Sequence, residues 1–259
     1  MEMGLAIATI DTLKDYVKDE PSGKFIMYSS TDPIINLLNY YQIGFDWKKK
    51  NGYDKLKFKD YKDKYDEFRL SYDVDSHYYS IVCNDPKLAL HADTIISFYT
   101  PYKTALKLVI GKAFDKCDNP FDELIANRNE AGFKEVNDKF SDFAVWYHTR
   151  GNFMLLPCRY MNADRYKHSQ DRIDKSLYEC FPGGKLAKYF GKYAEEQEAN
   201  LHEWIKAQNL DIMFYDGIIE RNKIIPFNEN NPFVSYENMT IEELYEFIEN
   251  AEDFVIKRR

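Results

Sequence analysis

The block from Arg165 to Cys180, RYKHSQDRIDKSLYEC, concentrates arginine, carboxylate and hydroxyl side chains. On a helix, residues three or four positions apart share a face, so Arg172, Ser176 and Glu179 form one stripe. A guanidinium beside carboxylates can bind a phosphate through two hydrogen bonds, and a neighbouring carboxylate can act as a general base. The block therefore supplies three candidate catalytic residues, Asp171, Arg172 and Glu179. It also supplies two candidate substrate-binding residues, Arg165 and Ser176. The alternative is an exposed helix with surface ion pairs.

A second group of candidates precedes the apolar run GNFMLLPC at 151–158, whose continuous hydrophobicity predicts a short buried strand. The residues just before it are His148-Thr149-Arg150, followed by Gly151, which allows close approach of another backbone. This order places His148 and Arg150 at the start of the strand as candidate substrate-binding residues. The most specific site that the sequence offers is a pocket in which these two side chains meet Arg172 and Glu179.

A third candidate is a metal site formed by Asp73, Asp75 and His77. Alternate residues of a strand project to one face, and Asp and His together can bind a divalent cation. The alternative is a hairpin tip in which the two aspartates form the turn. The sequence contains none of the motifs G-x-x-x-x-G-K-[ST], G-x-G-x-x-G, H-E-x-x-H or G-x-S-x-G. It therefore implies no particular cofactor.

The elements that would position these residues are strands early in the chain and helices later. The stretch FIMYSS at 25–30 follows a turn signal at Ser22-Gly23-Lys24 and is predicted as a strand, and the stretch at 68–83 is rich in Tyr, Val and Ile and favours strands. Apolar periodicity predicts helices over about 163–181 and 185–208, and Thr240-Ile241-Glu242-Glu243 matches a capping box that opens a last helix. We therefore predict one α+β domain over 1–259, with a mixed sheet in a strand-rich N-terminal half, a helix-rich C-terminal half and a sub-boundary near 115–122.

The overall charge is −8, which argues against whole-surface attraction to nucleic acid or anionic lipid but leaves room for a local basic patch. Aromatic residues make up 16% of the chain, which indicates either a base-stacking or sugar-binding surface or the codon usage of an AT-rich genome. The four cysteines are widely spaced and read as reduced thiols. No apolar run is long enough for a membrane span or a signal peptide, so we expect a cytoplasmic protein.

Several blocks resemble a bacterial domain family of unknown function. They are ALHADTIISFY at 89–99, the Gly-led strand RGNFMLLPC at 150–158, QDRIDKSLYEC at 170–180 and the capped helix from Thr240, in that order over roughly 65–259. The family pattern carries Arg-Gly shortly before the Asp-Arg pair, whereas this chain has Asn162-Ala163-Asp164-Arg165 there. The resemblance implies a role for Asp171, Arg172 and Glu179 and supplies no activity.

Three classes of function remain open. The first is a bacterial intracellular protein that acts on or senses a nucleotide or nucleic acid, in phage–host conflict or as a toxin. The second is a non-enzymatic acidic binding or inhibitor protein with a protein partner. The third is a metal-dependent hydrolase. The Arg-carboxylate block favours the first, the acidic charge fits the second, and Asp73, Asp75 and His77 would serve the third.

Overall fold

The computed structural model describes residues 91–97, 99–111, 130–146, 150–158 and 160–258. Two strands and six α-helices lie in these ranges: β1 (His91–Thr94), α1 (Tyr99–Ile110), α2 (Ala131–Trp146), β2 (Phe153–Leu156), α3 (Tyr160–Ser169), α4 (Ile173–Cys180), α5 (Ala194–Ala207) and α6 (Ile241–Arg258). Short 3-10 turns connect them at Arg150–Asn152, Ala187–Tyr189, Asp211–Met213, Tyr215–Gly217, Arg221–Lys223 and Tyr236–Asn238. None of the helices in these ranges is both long and apolar enough to cross a lipid bilayer.

The prediction of an α+β fold with a mixed sheet and a strand-rich N-terminal half is wrong. Helix occupies 67% of the described residues, and their sheet has two antiparallel strands, with His91 paired to Leu156 and Thr94 to Phe153. The strands predicted at 25–30 and 68–83 lie outside the described residues. The buried strand predicted within 151–158 is confirmed as β2.

Within the described residues, Trp204 of α5 and Gln208 just after it hydrogen-bond to the backbone of β2 at a position where a third strand would pair. The indole of Trp204 donates to the carbonyl oxygen of Leu155 at 2.7 Å, and the side-chain oxygen of Gln208 accepts from the Leu155 amide at 2.9 Å. The backbone groups that a third strand would need at Leu155 are therefore already paired. β2 is nevertheless buried along its whole length, because helices rather than strands cover it.

One part of the core lies between α1, α2 and α6, which pack on one another, and the same buried cluster includes Leu177 of α4 and Trp204 of α5. Apolar residues recur on α6 at the three- and four-residue spacing of one helix face and are buried, namely Leu244, Phe247, Ile248, Ala251, Phe254 and Val255. The predicted capping box is confirmed, since the Thr240 amide donates to Glu243 Oε2 at 2.7 Å and the Glu243 amide donates to Thr240 Oγ1 at 3.2 Å. This box fixes where α6 begins.

The far end of α6 is fastened to β2 and α5 by Arg258. Its buried guanidinium donates to the carbonyl oxygens of Gly151 at 2.8 Å, Phe153 at 2.6 Å and Gln208 at 2.6 Å. Burial lowers the pKa of Arg258, and the neighbouring Arg150 lowers it further. The close approach needs a glycine, because a Cβ at Gly151 would lie 2.1 Å from the carbonyl oxygen of Val255. The strand start is therefore a docking point for α6.

Candidate functional site

The helix predicted over 163–181 is two helices, and the break carries the candidate site. Gln170 and Asp171 separate α3 from α4 with φ of 55° and 54°, a left-handed conformation that residues other than glycine adopt rarely. The break turns Asp171 towards the end of β1, where the Ser97 amide donates to its carbonyl oxygen at 3.3 Å. On the other side, the Gln170 side chain accepts from the Tyr236 amide at 3.0 Å and donates to Glu237 at 2.7 Å.

Arg165 on α3 is the hub of the site. Its side chain is fully buried and forms an ion pair with Asp93. It also donates to the carbonyl oxygen of Thr94 at 3.1 Å, to that of Ile95 at 3.3 Å and to Ser176 Oγ at 3.2 Å. Ion pairs of buried arginine require such complete pairing, because an unmatched charge in the interior is costly. Arg165 therefore joins α3 to β1 and to α4.

Arg172, immediately before α4, has a separate set of partners. Its buried guanidinium donates to both carboxylate oxygens of Asp174, at 3.2 and 2.7 Å, and to the carbonyl oxygen of Val234. The rings of Tyr236 and Phe247 lie 5.3 and 4.7 Å from it, within the range of a cation–π contact. Because these contacts bury the guanidinium completely, it presents no face to a ligand in this conformation.

Asp171 is the ionisable group of the site whose charge is least compensated. Its Oδ1 atom is buried and has no hydrogen-bond partner within the described residues. Burial raises the pKa of Asp171 from 3.8 to about 7, while Arg165 lowers it and the carboxylate of Asp93 raises it. The Asp171 carboxyl can therefore take up or release a proton near neutral pH, which is the property expected of a general acid or base.

The structure brings together Asp171, Arg165 and Ser176 from the predicted site. The other described residues of that site have different surroundings, since Glu179 accepts from the Lys185 amide at 2.8 Å and the carbonyl oxygen of Arg150 accepts from Arg258. His148 lies outside the described residues, as does the proposed metal site of Asp73, Asp75 and His77. Within the described ranges, no cluster of three or more His, Cys, Asp or Glu side chains is arranged to hold a metal ion.

Sequence reasoning did not select Asp93, although it is the carboxylate that pairs with Arg165. A signal was present, because Asp93 is the one charged residue of the segment ADTIISFY. A carboxylate inside such a segment is buried only when a cation or several donors compensate it. What the sequence could not give is which of the many arginines and lysines supplies that charge.

A second feature lies on the outer side of α3. The Tyr189 hydroxyl lies 2.7 Å from Asp164 Oδ2 and 3.1 Å from the carbonyl oxygen of Tyr160, so its single proton is shared between two acceptors on α3 and holds the 187–193 segment against that helix. Tyr160 and Tyr193 are exposed to 64% and 67%. We call this region the tyrosine–lysine surface, and it consists of Tyr160, Lys167, Lys188, Tyr189, Lys192 and Tyr193. Lys167 is included because it follows Tyr160 by seven residues, close to two helical turns, and therefore lies on the same face of α3 as Tyr160.

Comparison with known proteins adds no further information on the site. No protein-family model, no curated protein and no solved structure matches this chain. The resemblance to a bacterial domain family therefore stays an expectation, and function has to be argued from the geometry of the described residues alone.

Proposed function

We propose that this chain is a bacterial cytoplasmic protein that binds single-stranded nucleic acid on its tyrosine–lysine surface, and that it acts on or senses that nucleic acid. The observation that carries the proposal is the combination of exposed tyrosine rings with lysines on two elements that are hydrogen-bonded to each other. Proteins that bind single strands without strong sequence preference combine stacking rings with cationic side chains along the backbone path. Bacterial origin follows from the family resemblance.

The lysines and tyrosines of this surface already contact one another in the way that a bound strand would use. The ammonium of Lys192 lies 5.5 Å from the ring centre of Tyr193, and that of Lys188 lies 5.0 Å from the ring centre of Tyr189. A base that stacked on either ring would take the place of the ammonium. At Tyr193 the displaced Lys192 would then contact the adjacent phosphate, whereas Lys188 beside Tyr189 keeps its ion pair with Asp164.

Local charge limits the affinity. The exposed lysines of the surface are Lys167, Lys188 and Lys192, but Lys188 is paired with Asp164, and Glu195 and Glu196 are exposed in the first turn of α5 beside Tyr193. A few lysines on an acidic chain predict binding that is weak and depends on salt, in contrast to that of a strongly basic nucleic-acid-binding domain. The stacking rings must therefore supply a large share of the binding free energy.

The test is fluorescence anisotropy of a labelled oligothymidine titrated with the full chain at low salt. We expect Tyr160→Ser and Tyr193→Ser each to weaken binding about 5- to 100-fold, since one base–aromatic stack contributes roughly 1–3 kcal/mol. Both variants should fold, because the side chains of Tyr160 and Tyr193 are exposed to 64% and 67%, and serine is a preferred residue at the N-cap position that Tyr193 holds.

Tyr166→Ser is the matched control. Tyr166 is 59% exposed on the same helix, but six residues of helix place it about 120° away from Tyr160. It should bind as the wild-type chain does. Binding that is undetectable in the wild-type chain, or that all three variants reduce equally, would refute the proposal.

The other two functions stay predictions. A metal-dependent hydrolase would use Asp73, Asp75 and His77, which lie outside the described residues. An acidic inhibitor protein agrees with the charge of −8 and would need a protein partner. Neither has a geometric observation within the described residues that favours it over nucleic-acid binding.

A further inference from the structure

We propose that the contact between the Gln170–Asp171 turn and the end of β1 is a pH-sensitive switch, closed while the Asp171 carboxyl is protonated and loosened when it ionises. The inference is independent of nucleic-acid binding. It rests on the backbone of the turn, on an uncompensated carboxyl oxygen and on the charges that face it.

The backbone of the turn is strained in the closed state. Two consecutive residues other than glycine, Gln170 and Asp171, hold positive φ, a backbone conformation that is energetically unfavourable for residues with a side chain. The strain persists because both sides of the turn are held, by the Ser97 amide on one side and by Tyr236 and Glu237 on the other. Loss of the bond to Ser97 would let the turn relax without disturbing the contacts of Gln170.

The charges around Asp171 favour its neutral form. From β1 it faces Asp93, from α3 it faces Arg165, and from the 236–238 turn it faces the buried hydroxyl of Tyr236. Arg165 has its donors directed at Asp93, two carbonyl oxygens and Ser176. An ionised Asp171 would therefore add a second negative charge beside Asp93, while its Oδ1 has no donor within the described residues.

The direction of the switch follows from proton linkage. The pKa of Asp171 is about 7 in the folded chain and 3.8 in its ordinary state, so ionisation opposes the closed contact. The free-energy cost that ionisation of Asp171 imposes on the closed contact is absent at pH values below the ordinary pKa. It grows as pH rises from about 4 to 7 and stays constant above pH 7. Opening lets water reach the carboxylate and removes this cost, so the open form gains population as pH rises.

Amide hydrogen exchange of the full chain, followed by NMR and corrected for intrinsic rates, tests the switch. The Ser97 amide should exchange about tenfold faster for each pH unit between 5 and 7 and level off above pH 7, as expected for one linked proton. The Leu155 amide of β2, which donates to the Gln208 side chain, reports on opening of the whole fold. That opening also frees Asp171 and therefore carries the same linked proton, but the Ser97 amide should exchange faster than the Leu155 amide at every pH. Equal protection of the two amides would mean that Ser97 is exposed only when the whole fold opens, and the proposed local switch would be wrong.

Asp171→Asn and Asp216→Asn form a matched pair of variants. Both replace an aspartate at positive φ, 54° and 58°, and asparagine tolerates that conformation. Asp171→Asn should remove the pH dependence at Ser97, and Asp216→Asn should retain it. Equal pH dependence in Asp171→Asn and the wild-type chain would overturn the switch. So would a carboxyl-carbon NMR titration of wild-type Asp171 with a midpoint near 4, a measurement that needs no variant.

Discussion

Arg165 and Arg172 show how the same residue type takes two structural roles seven positions apart. Arg165 joins three elements through an ion pair and backbone carbonyl oxygens, and Arg172 forms a two-point pair with Asp174 between aromatic rings. The features that make arginine a good phosphate ligand, its planar shape and its many donors, also make it suited to buried pairing. Neither arrangement exposes the guanidinium group. From the sequence alone, these two buried arginines could not be distinguished from arginines that bind a ligand.

Removal of the Arg172 guanidinium should destabilise the fold strongly. Arg172→Met leaves Asp174 buried without its cation, which costs about 3–5 kcal/mol in the free energy of unfolding. Arg172→Met combined with Asp174→Asn should recover part of the loss, because the uncompensated charge is gone. Urea denaturation followed by circular dichroism measures both.

Lys188→Met is the control for that experiment. Lys188 pairs with Asp164 on the surface, with 61% of its side chain exposed, and such solvent-screened pairs contribute little to the free energy of unfolding. A loss as large as that of Arg172→Met would contradict the distinction between buried and surface pairs. A negligible effect of Arg172→Met would contradict its structural role.

At the scale of elements, features that depend on neighbouring residues were predicted from the sequence, and features that depend on long-range contacts were not. The capping box at Thr240 and the buried strand β2 were predicted because each depends on neighbouring residues. The break at Gln170–Asp171 was missed because no glycine or proline marks it, and its conformation is held by Ser97 and Tyr236, which are distant in sequence. Residues close in sequence therefore determine the type of these elements. Tertiary contacts determine where α3 ends and α4 begins.

The same limits apply to the candidate site. Helical spacing predicted a stripe of Arg172, Ser176 and Glu179. The structure instead groups Asp171 and Ser176 around Arg165, because the helix breaks at Gln170–Asp171. Asp93 was missed, because its approach to Arg165 depends on how β1 and α3 pack. The tyrosine–lysine surface was suggested by composition alone, and its location required the Tyr189 contact to α3.

Gly151 should tolerate no side chain, because α6 packs directly on the strand start. In Gly151→Ala the new methyl group would lie 2.1 Å from the Val255 carbonyl oxygen, so α6 must shift and its anchor at Arg258 loosens. We expect a loss of roughly 2–4 kcal/mol, in the range of severe core changes, measured as a lowered midpoint of thermal unfolding.

Gly217→Ala separates this steric effect from backbone strain. Gly217 has φ of 67°, and a Cβ there would meet no atom within 4 Å. That change should cost only about 1 kcal/mol, the penalty for placing alanine in the left-handed region. If both variants unfolded at the same midpoint, the close approach of α6 would not be the reason for the glycine.

At the scale of the whole molecule, an acidic chain is proposed to bind an acidic polymer. Charges farther away than about 8–10 Å are screened at physiological salt, so the total of −8 matters less there than the lysines close to the bound strand. At low salt the screening length grows and the remaining carboxylates begin to repel the strand. The affinity therefore depends on two opposing electrostatic contributions.

The salt dependence of binding should reveal how many lysines contact phosphate. With about three contacts, the logarithm of the association constant should fall with the logarithm of salt concentration with a slope of about −2. Lys192→Gln should make that slope shallower by about 0.7. Lys206→Gln is the control, since Lys206 is exposed at the other end of α5, about 20 Å from Tyr193 by helix length. An equal change in both variants would argue against local contacts.

The anchoring of α6 by Arg258 also bears on how the chain folds during synthesis. The carbonyl oxygens of Gly151, Phe153 and Gln208 receive their donor from a residue translated at least 50 positions later. Until Arg258 has left the ribosome, the start of β2 and the end of α5 lack this donor, and the apolar face of α6 cannot dock fully. The start of β2 can therefore complete its contacts only after α6 has been translated.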